Sequence, residues 1–460
     1  MWAWESMIGW ALGRAAGDYR GRSFFFPSFM PEANLPAMLD VNLIRKQPEL
    51  VRKALADKGE TGSSLEWFLQ RDKELRELVH EHETARAEQN RLSPAIGQKK
   101  AKGEDASAEL AAVAQLKARQ KDLAEKAEVL KADLNKLLMR LPNLAAPDVP
   151  VGDATANRVE SSWGDETKFE FAAKPHWELG AALKMFDADG AARIGGSGFS
   201  LMTGGLAQLE RALINYMLDL HTREHGYTET NVPYLVKQHC LEGCSQLPKF
   251  EEEMYRCRDD ELFLIPTAEV PLTNIHREKI LAEAELPLRY CAFSPCFRRE
   301  AGAAGKDTRG LLRMHQFHKV ELMSYTTAEA SDEELLRIRA NAEAVLRNLK
   351  LRYRVLLLST GDMSFGSRKT FDIELWAPGV GAWLEVSSVS TFGDFQARRA
   401  GIRYRSAKTN KVEFCHTLNG SGVALPRLMV AVIENYQRAD GSIVVPDVLR
   451  PYMGWKPEIR

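Results

Sequence analysis

The sequence predicts an α+β protein: an N-terminal antiparallel coiled-coil helical arm, then an antiparallel β-sheet flanked by helices. Three observations carry the prediction. Between Leu65 and Leu137, two long series of mostly apolar residues recur at spacings of three and four, with a polar break between them. Strand-like runs come later: an apolar run from Tyr290 to Phe297, and alternating runs from Met314 to Leu322 and from Gly381 to Ser390. Amphipathic or apolar helical stretches, Leu206 to Glu224 and Leu428 to Gln437, bracket these runs. Helical and strand periodicities in separate parts of one chain imply a helical segment joined to a mixed domain.

The 460 residues allow two or three domains, and 45% hydrophobic with 27% charged residues is the balance of a globular protein. The formal net charge of −1 excludes a global basic field, so any nucleic-acid contact must come from local patches. No apolar run reaches the roughly 18–20 residues of a membrane span. The six cysteines form no C-x-x-C pair and read as reduced thiols of a cytosolic protein, mostly core filling. His315 and His318 fall on opposite faces of a strand, which argues against a metal pair.

Residues 1–37 place Trp2, Trp4, Trp10 and Phe24-Phe25-Phe26 among Gly, Pro, Arg and Ser without sustained periodicity. They read as an extension outside the fold. Residues 38–145 form a helical domain. Pro48 stands early in a helix to Asp57, where proline is tolerated. The first arm series is Phe68, Arg71, Leu75, Leu78, His82, Ala85, Gln89, Leu92 and Ile96, and Gly97 to Ser107 breaks it. The second is Val113, Leu116, Gln120, Leu123, Ala127, Leu130, Leu134 and Leu137. Two such segments make a coiled-coil hairpin of about 33 residues per helix, roughly 50 Å long. Its tip carries Lys99, Lys100 and Lys102. A dimerisation hairpin is the commoner use of this motif. The basic tip and the polar seam residues Arg71, His82, Gln89 and Gln120 favour an arm that reaches for RNA. Leu141 to Gly152, with Pro142, Pro147 and Pro150, reads as a linker. Residues 146–460 then form the domain that carries the chemistry.

Phe297-Arg298-Arg299-Glu300 ends one strand, and a loop with Lys306, Arg309 and Arg313 leads to the next. An arginine and a glutamate beside a basic loop suit a polyphosphate and the end of a nucleic acid, although a solvated hairpin would look similar. Thr267-Ala268-Glu269, after an apolar strand, sets a hydroxyl beside a carboxylate, as an amino acid's ammonium requires. Alternation puts Glu385 and Ser387 on one strand face and Ser388 opposite unless the strand ends there. Asp372 and Glu374 add acids on the preceding strand, where a solvated face serves as well. Thr417 to Arg427 reads as a Gly-rich turn entering an apolar helix, a phosphate-binding arrangement.

Taken in order, these segments resemble class II aminoacyl-tRNA synthetases. Phe297-Arg298-Arg299-Glu300-Ala301-Gly302, Asp307-Thr308-Arg309-Gly310-Leu311 and Met314-His315-Gln316-Phe317 are similar to motif 2 of the seryl-tRNA synthetase family, bacterial type. The helix from Leu206, the strand Thr228 to Val232 and Pro233 look like motif 1. Arg427 matches the arginine of motif 3. The resemblance covers residues 38–460, and Met38-Leu39-Asp40-Val41-Asn42-Leu43 looks like the family's usual start. Residues 1–37 are therefore expected to be an upstream or artificially added extension.

The resemblance implies a cytoplasmic homodimer, paired through motif 1, that charges tRNA(Ser) and tRNA(Sec) with L-serine. It implies two steps: ATP and serine give seryl-adenylate, and the terminal adenosine of tRNA takes the seryl group. Arg298, Glu300 and Arg427 are the implied catalytic residues. Thr267, Ala268, Glu269, Glu321 and Ser421 are implied for serine. Arg298, Arg299, Glu300, Phe317, Glu385, Val386, Ser387, Ser388 and Arg427 are implied for ATP, with Mg²⁺ on Glu385 and Ser388. Leu425-Pro426 and Gly198 depart from the family pattern. Two other readings are a ligase that charges a carrier protein, disfavoured by the intact arm, and a non-enzymatic RNA binder, disfavoured by Arg298, Glu300, Glu385 and Arg427.

Overall fold

The computed structural model of the chain describes residues 39–301 and 309–460. The expectations for residues 1–37, for a start at Met38 and for Lys306 lie outside the described residues.

Val41–Lys46 and Pro48–Asp57 are short helices, the second with proline at its first position. The arm follows as two helices, Ser63–Lys102 of 40 residues and Ser107–Leu138 of 32. At 1.5 Å per residue they extend about 60 and 48 Å. The predicted seam residues are all partly or fully buried, with Phe68, Ala85, Leu123, Ala127 and Leu134 the most enclosed. Gln120 donates to Gln89 across the seam at 2.8 Å, so two polar seam residues satisfy each other. The break is later than expected. Pro94 and Gly97 lie inside the first helix, which stops at Gly103 in the left-handed region (φ 73°). Pro94 is exposed, and the seam holds the helix through it. At the tip Lys99 pairs with Glu109 of the second helix, so one of the three lysines ties the hairpin together.

The expected linker is docked. Asn143 donates to the carbonyls of Gly366 (2.9 Å) and Phe392 (2.7 Å), and Ala146 N–H donates to Arg368 at 2.8 Å.

One eight-stranded sheet organises the remainder. In chain order its strands are β1 (Arg158–Trp163), β2 (Thr228–Glu229), β3 (Leu288–Phe297), β4 (Gln316–Thr326), β5 (Tyr353–Leu357), β6 (Lys369–Ala377), β7 (Ala382–Gly393) and β8 (His416–Ala424). Their spatial order is β1-β5-β6-β7-β8-β4-β3-β2. Neighbours are antiparallel, except that β2 runs parallel to β3. The predicted strand Thr228 to Val232 is thus only Thr228–Glu229, a parallel edge.

Alternation along β4 sorts the two faces. Val320 and Leu322 join the core beneath the helices Gly204–Arg223, Ser331–Asn348 and Leu425–Asn435. Phe317, Lys319 and Glu321 face a cavity, and beyond them Met323 and Tyr325 enter a second apolar cluster. Each large apolar side chain buried under the helices contributes on the order of 1.5–3 kcal/mol.

Thr417 to Gly422 is not a turn, because it lies within β8. Its glycines admit the helices. A Cβ at Gly420 would stand 2.6 Å from Ile338, and one at Gly422 would stand 2.8 Å from His221. Gly198 serves the same purpose on another surface. It has φ +78°, and a Cβ there would meet His315 at 2.5 Å, so this departure shapes contacts with the β3–β4 hairpin and not with the Leu206 helix.

Candidate active site

A cavity of about 480 Å³ opens on the sheet face opposite the three helices, and 11 of the residues expected from the sequence line it: Thr267, Glu269, Arg298, Glu300, Phe317, Glu321, Glu385, Val386, Ser388, Ser421 and Arg427. Three expected residues do not. Ala268 is fully buried in the second apolar cluster. Arg299 is exposed, in the irregular segment that follows the end of β3 at Phe297. Ser387 donates to the Ser421 carbonyl at 2.6 Å. A bulge between Glu385 and Ser387 shifts the alternation, so Ser388, and not Ser387, stands on the cavity side with Glu385.

One end of the cavity is a closed polar cluster. Thr267 Oγ1 donates to Glu321 at 3.0 Å and accepts from Lys319 Nζ at 2.9 Å and from Glu269 N–H at 3.2 Å. That uses all of its hydrogen-bonding capacity. Asn419 donates to Glu321 at 3.2 Å, and Gln396 donates to Glu269 at 2.7 Å while accepting from Thr417 at 2.8 Å. Burial, and then the charge of Glu321, push the Glu269 carboxyl up to about 7. Ser421 is the register partner of Glu321.

The other end is more open. The Arg298 guanidinium stands over the Phe317 ring at 5.1 Å. Glu300 holds φ +50°, a sparsely populated conformation for a non-glycine residue, and pairs with Arg313 at 3.4 Å. Arg427 enters on the first turn of its helix, just after Pro426. It donates to the carbonyls of Glu385 (2.8 Å) and Leu312 (3.3 Å). Proline beside it costs no helical hydrogen bond.

Glu385 is half exposed and stands 3.6 Å from Arg427. Beside it, Asp372 is the register partner of Ser388. Its Oδ1 is buried with no hydrogen-bond partner among the described residues. Burial, and then Glu385, raise its carboxyl well above the usual range. A hard divalent cation fits this all-oxygen set. Among the described residues no group of three His, Cys, Asp or Glu could hold a metal alone, so phosphate oxygens and water would complete the shell.

Behind the wall, His176 takes N–H from Leu311 on Nε2 (3.0 Å) and faces Glu434 with Nδ1 (2.9 Å). Glu434 also accepts from the backbone N–H groups of His176, Gly379 and Val380. Sequence reasoning passed over Lys319, Asn419, Gln396 and His176. Alternation with Glu321 and Ser421 could have found the first two. Nothing local marks the others.

An Arg-x-Glu hairpin that faces, across one antiparallel sheet, an arginine from the first turn of a buried helix defines a class II aminoacyl-tRNA synthetase core. The tRNA synthetase class II core domain (G, H, P, S and T) matches residues 250–436, and the seryl-tRNA synthetase N-terminal domain matches residues 38–145. The serine–tRNA ligase of Nitratidesulfovibrio vulgaris is 49% identical over 418 residues, 91% of this chain and 98% of that one. That of Syntrophotalea carbinolica is 48% identical over 418 residues, with the same coverage. The seryl-tRNA synthetase of Pyrococcus horikoshii, solved with ATP, superposes with a TM-score of 0.87 at 38% identity, covering 92% of this chain and 99% of that one. The cytoplasmic serine–tRNA ligase of Naegleria fowleri, solved with AMP, gives 0.81 at 26%, covering 93% and 98%. The chain belongs to the seryl-tRNA synthetase family and is an enzyme of that family, a ligase that forms aminoacyl-tRNA.

Proposed function

We propose that the chain activates L-serine with ATP as seryl-adenylate and transfers the seryl group to tRNA(Ser) and tRNA(Sec). The observation that carries this reading is the continuity of one cavity. Its closed end offers Thr267, Glu269, Glu321 and Asn419 to an ammonium and a hydroxyl, and its open end offers Arg298, Phe317 and Arg427 to a nucleotide.

In the first step the serine carboxylate oxygen bonds to the α-phosphorus and the bond to pyrophosphate breaks. Arg298 takes the charge that develops on the α-phosphate. Phe317 stacks on the adenine, Glu300 accepts from its amino group, and Arg427 covers the opposite face or meets the γ-phosphate. Val386 and Ser388 form the neighbouring wall. Glu385 and Ser388, with Asp372 beside them, would hold Mg²⁺, which when bound offsets the charge of the departing pyrophosphate. Thr267, Glu269, Glu321 and Ser421 hold serine. In the second step a ribose hydroxyl of the terminal adenosine attacks the acyl carbon and AMP leaves. The arm binds tRNA by shape and backbone charge. The edge strand β2 and the helix Gly204–Arg223 pair two chains into a homodimer, and the enzyme works in the cytoplasm. Among the described residues no helix is long and apolar enough to cross a membrane.

Serine-dependent ATP–pyrophosphate exchange, followed by transfer to tRNA(Ser), tests the reading. Serine should exceed alanine by about 10⁴, because a site built around a hydroxyl rejects its absence. Comparable activation of the two would overturn the serine reading, and exchange without transfer would overturn the tRNA reading.

A further inference from the structure

Lys319 holds the acceptors that an amino-acid ammonium needs. Its side chain is buried, and Nζ donates to Thr267 Oγ1 at 2.9 Å and pairs with Glu321. Thr267 has no capacity left over, since it gives its hydrogen to Glu321 and takes one from the Glu269 backbone. For a substrate ammonium to bond there, one of these donors must leave. The Glu269 N–H is fixed in the backbone at the start of its helix, whereas Lys319 has a long rotatable stem. A buried ammonium that gives up Glu321 must find another anion, because an unpaired buried charge is strongly destabilising. Lys319 lies between Glu321 and Phe317 on the cavity face of β4, and Arg298 stands over Phe317, so the cavity beside Lys319 continues toward Arg298.

We infer that Lys319 is a substrate-contacting residue that trades partners: the serine ammonium displaces it from Thr267 and Glu321, and it swings to the serine carboxylate. The inference rests on the serine reading of this cavity. The trade keeps the pocket's charge constant, since the zwitterion brings one cation and one anion. It also sets a cation beside Arg298 where two anions, carboxylate and α-phosphate, must approach each other. The substrate class follows: an ammonium that arrives without a carboxylate strands Lys319.

The test compares L-serine with L-serinamide, which keeps ammonium and hydroxyl and replaces the carboxylate by a neutral amide. Titration calorimetry on the full chain should find serine bound more tightly by on the order of 100-fold or more. In Lys319→Met the ratio should fall below about tenfold, because serinamide no longer strands a cation while Arg298 still favours serine. Lys319→Gln should behave likewise and guards against a Met variant that does not fold. A folded variant that kept the wild-type ratio would overturn the inference. So would a crystal structure of the wild-type enzyme with serine bound in which Nζ still donated to Thr267, a result that needs no variant. Wild-type protein that bound neither compound would remove the serine pocket itself and the trade with it.

Discussion

Replacing His176 by alanine should loosen the open end of the cavity from behind its wall. The imidazole is 2% exposed and bridges Glu434 to the segment that returns from the β3–β4 loop. Leu311 N–H needs Nε2 as an acceptor, so the hydrogen of the neutral ring sits on Nδ1 and points at Glu434. In His176→Ala the buried Leu311 N–H loses the acceptor that Nε2 supplies, which costs about 1–3 kcal/mol, and Glu434 loses a charge-assisted bond worth about 1.5–3 kcal/mol. Gly310 adds a packing loss, since even a Cβ on it would lie 2.1 Å from the His176 ring. These terms overlap and together cost about 3–5 kcal/mol. Leu312 is the carbonyl partner of Arg427, and both leucines line the cavity. Displacement of that segment should raise KM for ATP by on the order of 10², the usual effect of an ångström-scale misplacement. Serine-dependent exchange at varied ATP, with thermal unfolding in parallel, reads both consequences. His176→Gln, which can return an acceptor to Leu311 but not the bond to Glu434, should fall between wild type and alanine. Wild-type KM for ATP and an unshifted Tm in His176→Ala would refute the bridge.

Three further outcomes follow from the site. Arg298→Ala should lose about 10²–10³ in exchange kcat while keeping its unfolding temperature; near-normal exchange would remove Arg298 from the reacting centre. Glu269 has a folded pKa of about 7 against 4.5, so folding favours its protonated form, and this contribution is lost as pH rises from 4.5 to 7. Serine binding favours the anion instead, so affinity for serine should weaken as pH falls below about 7, and a Glu269→Gln enzyme whose pH profile matched wild type would contradict this. Excising the arm between Leu65 and Leu137 with a short linker should leave exchange within a few-fold and abolish transfer to tRNA; full-rate charging would make the arm a structural device instead.

Much of this protein was legible in its residues because periodicity reports burial directly. The arm seam from Phe68 to Leu137 lies where the spacing put it, and most of the expected site residues share one cavity. Local pattern failed wherever a neighbouring element set the phase. Strict alternation chose Ser387, but the bulge at Val386 turned Ser388 to the cavity. Glycines that read as a phosphate-binding turn are strand residues thinned to admit Ile338 and His221. Helix propensity stopped the arm at Gly97, whereas seam packing carried it through to Gly103.

The sequence by itself determined the α+β class and the coiled-coil hairpin, because those signals are repeated every two or every three to four positions, and its resemblance to a family picked out most of the residues that line the cavity. Only the tertiary structure decided which charges meet. Lys319 reaches Thr267 across 52 positions, and His176 reaches Glu434 across 258. No local signal encodes a partner so distant. Burial between packed elements makes such pairs obligatory, because a charge or donor removed from water must be satisfied by whatever the fold brings beside it.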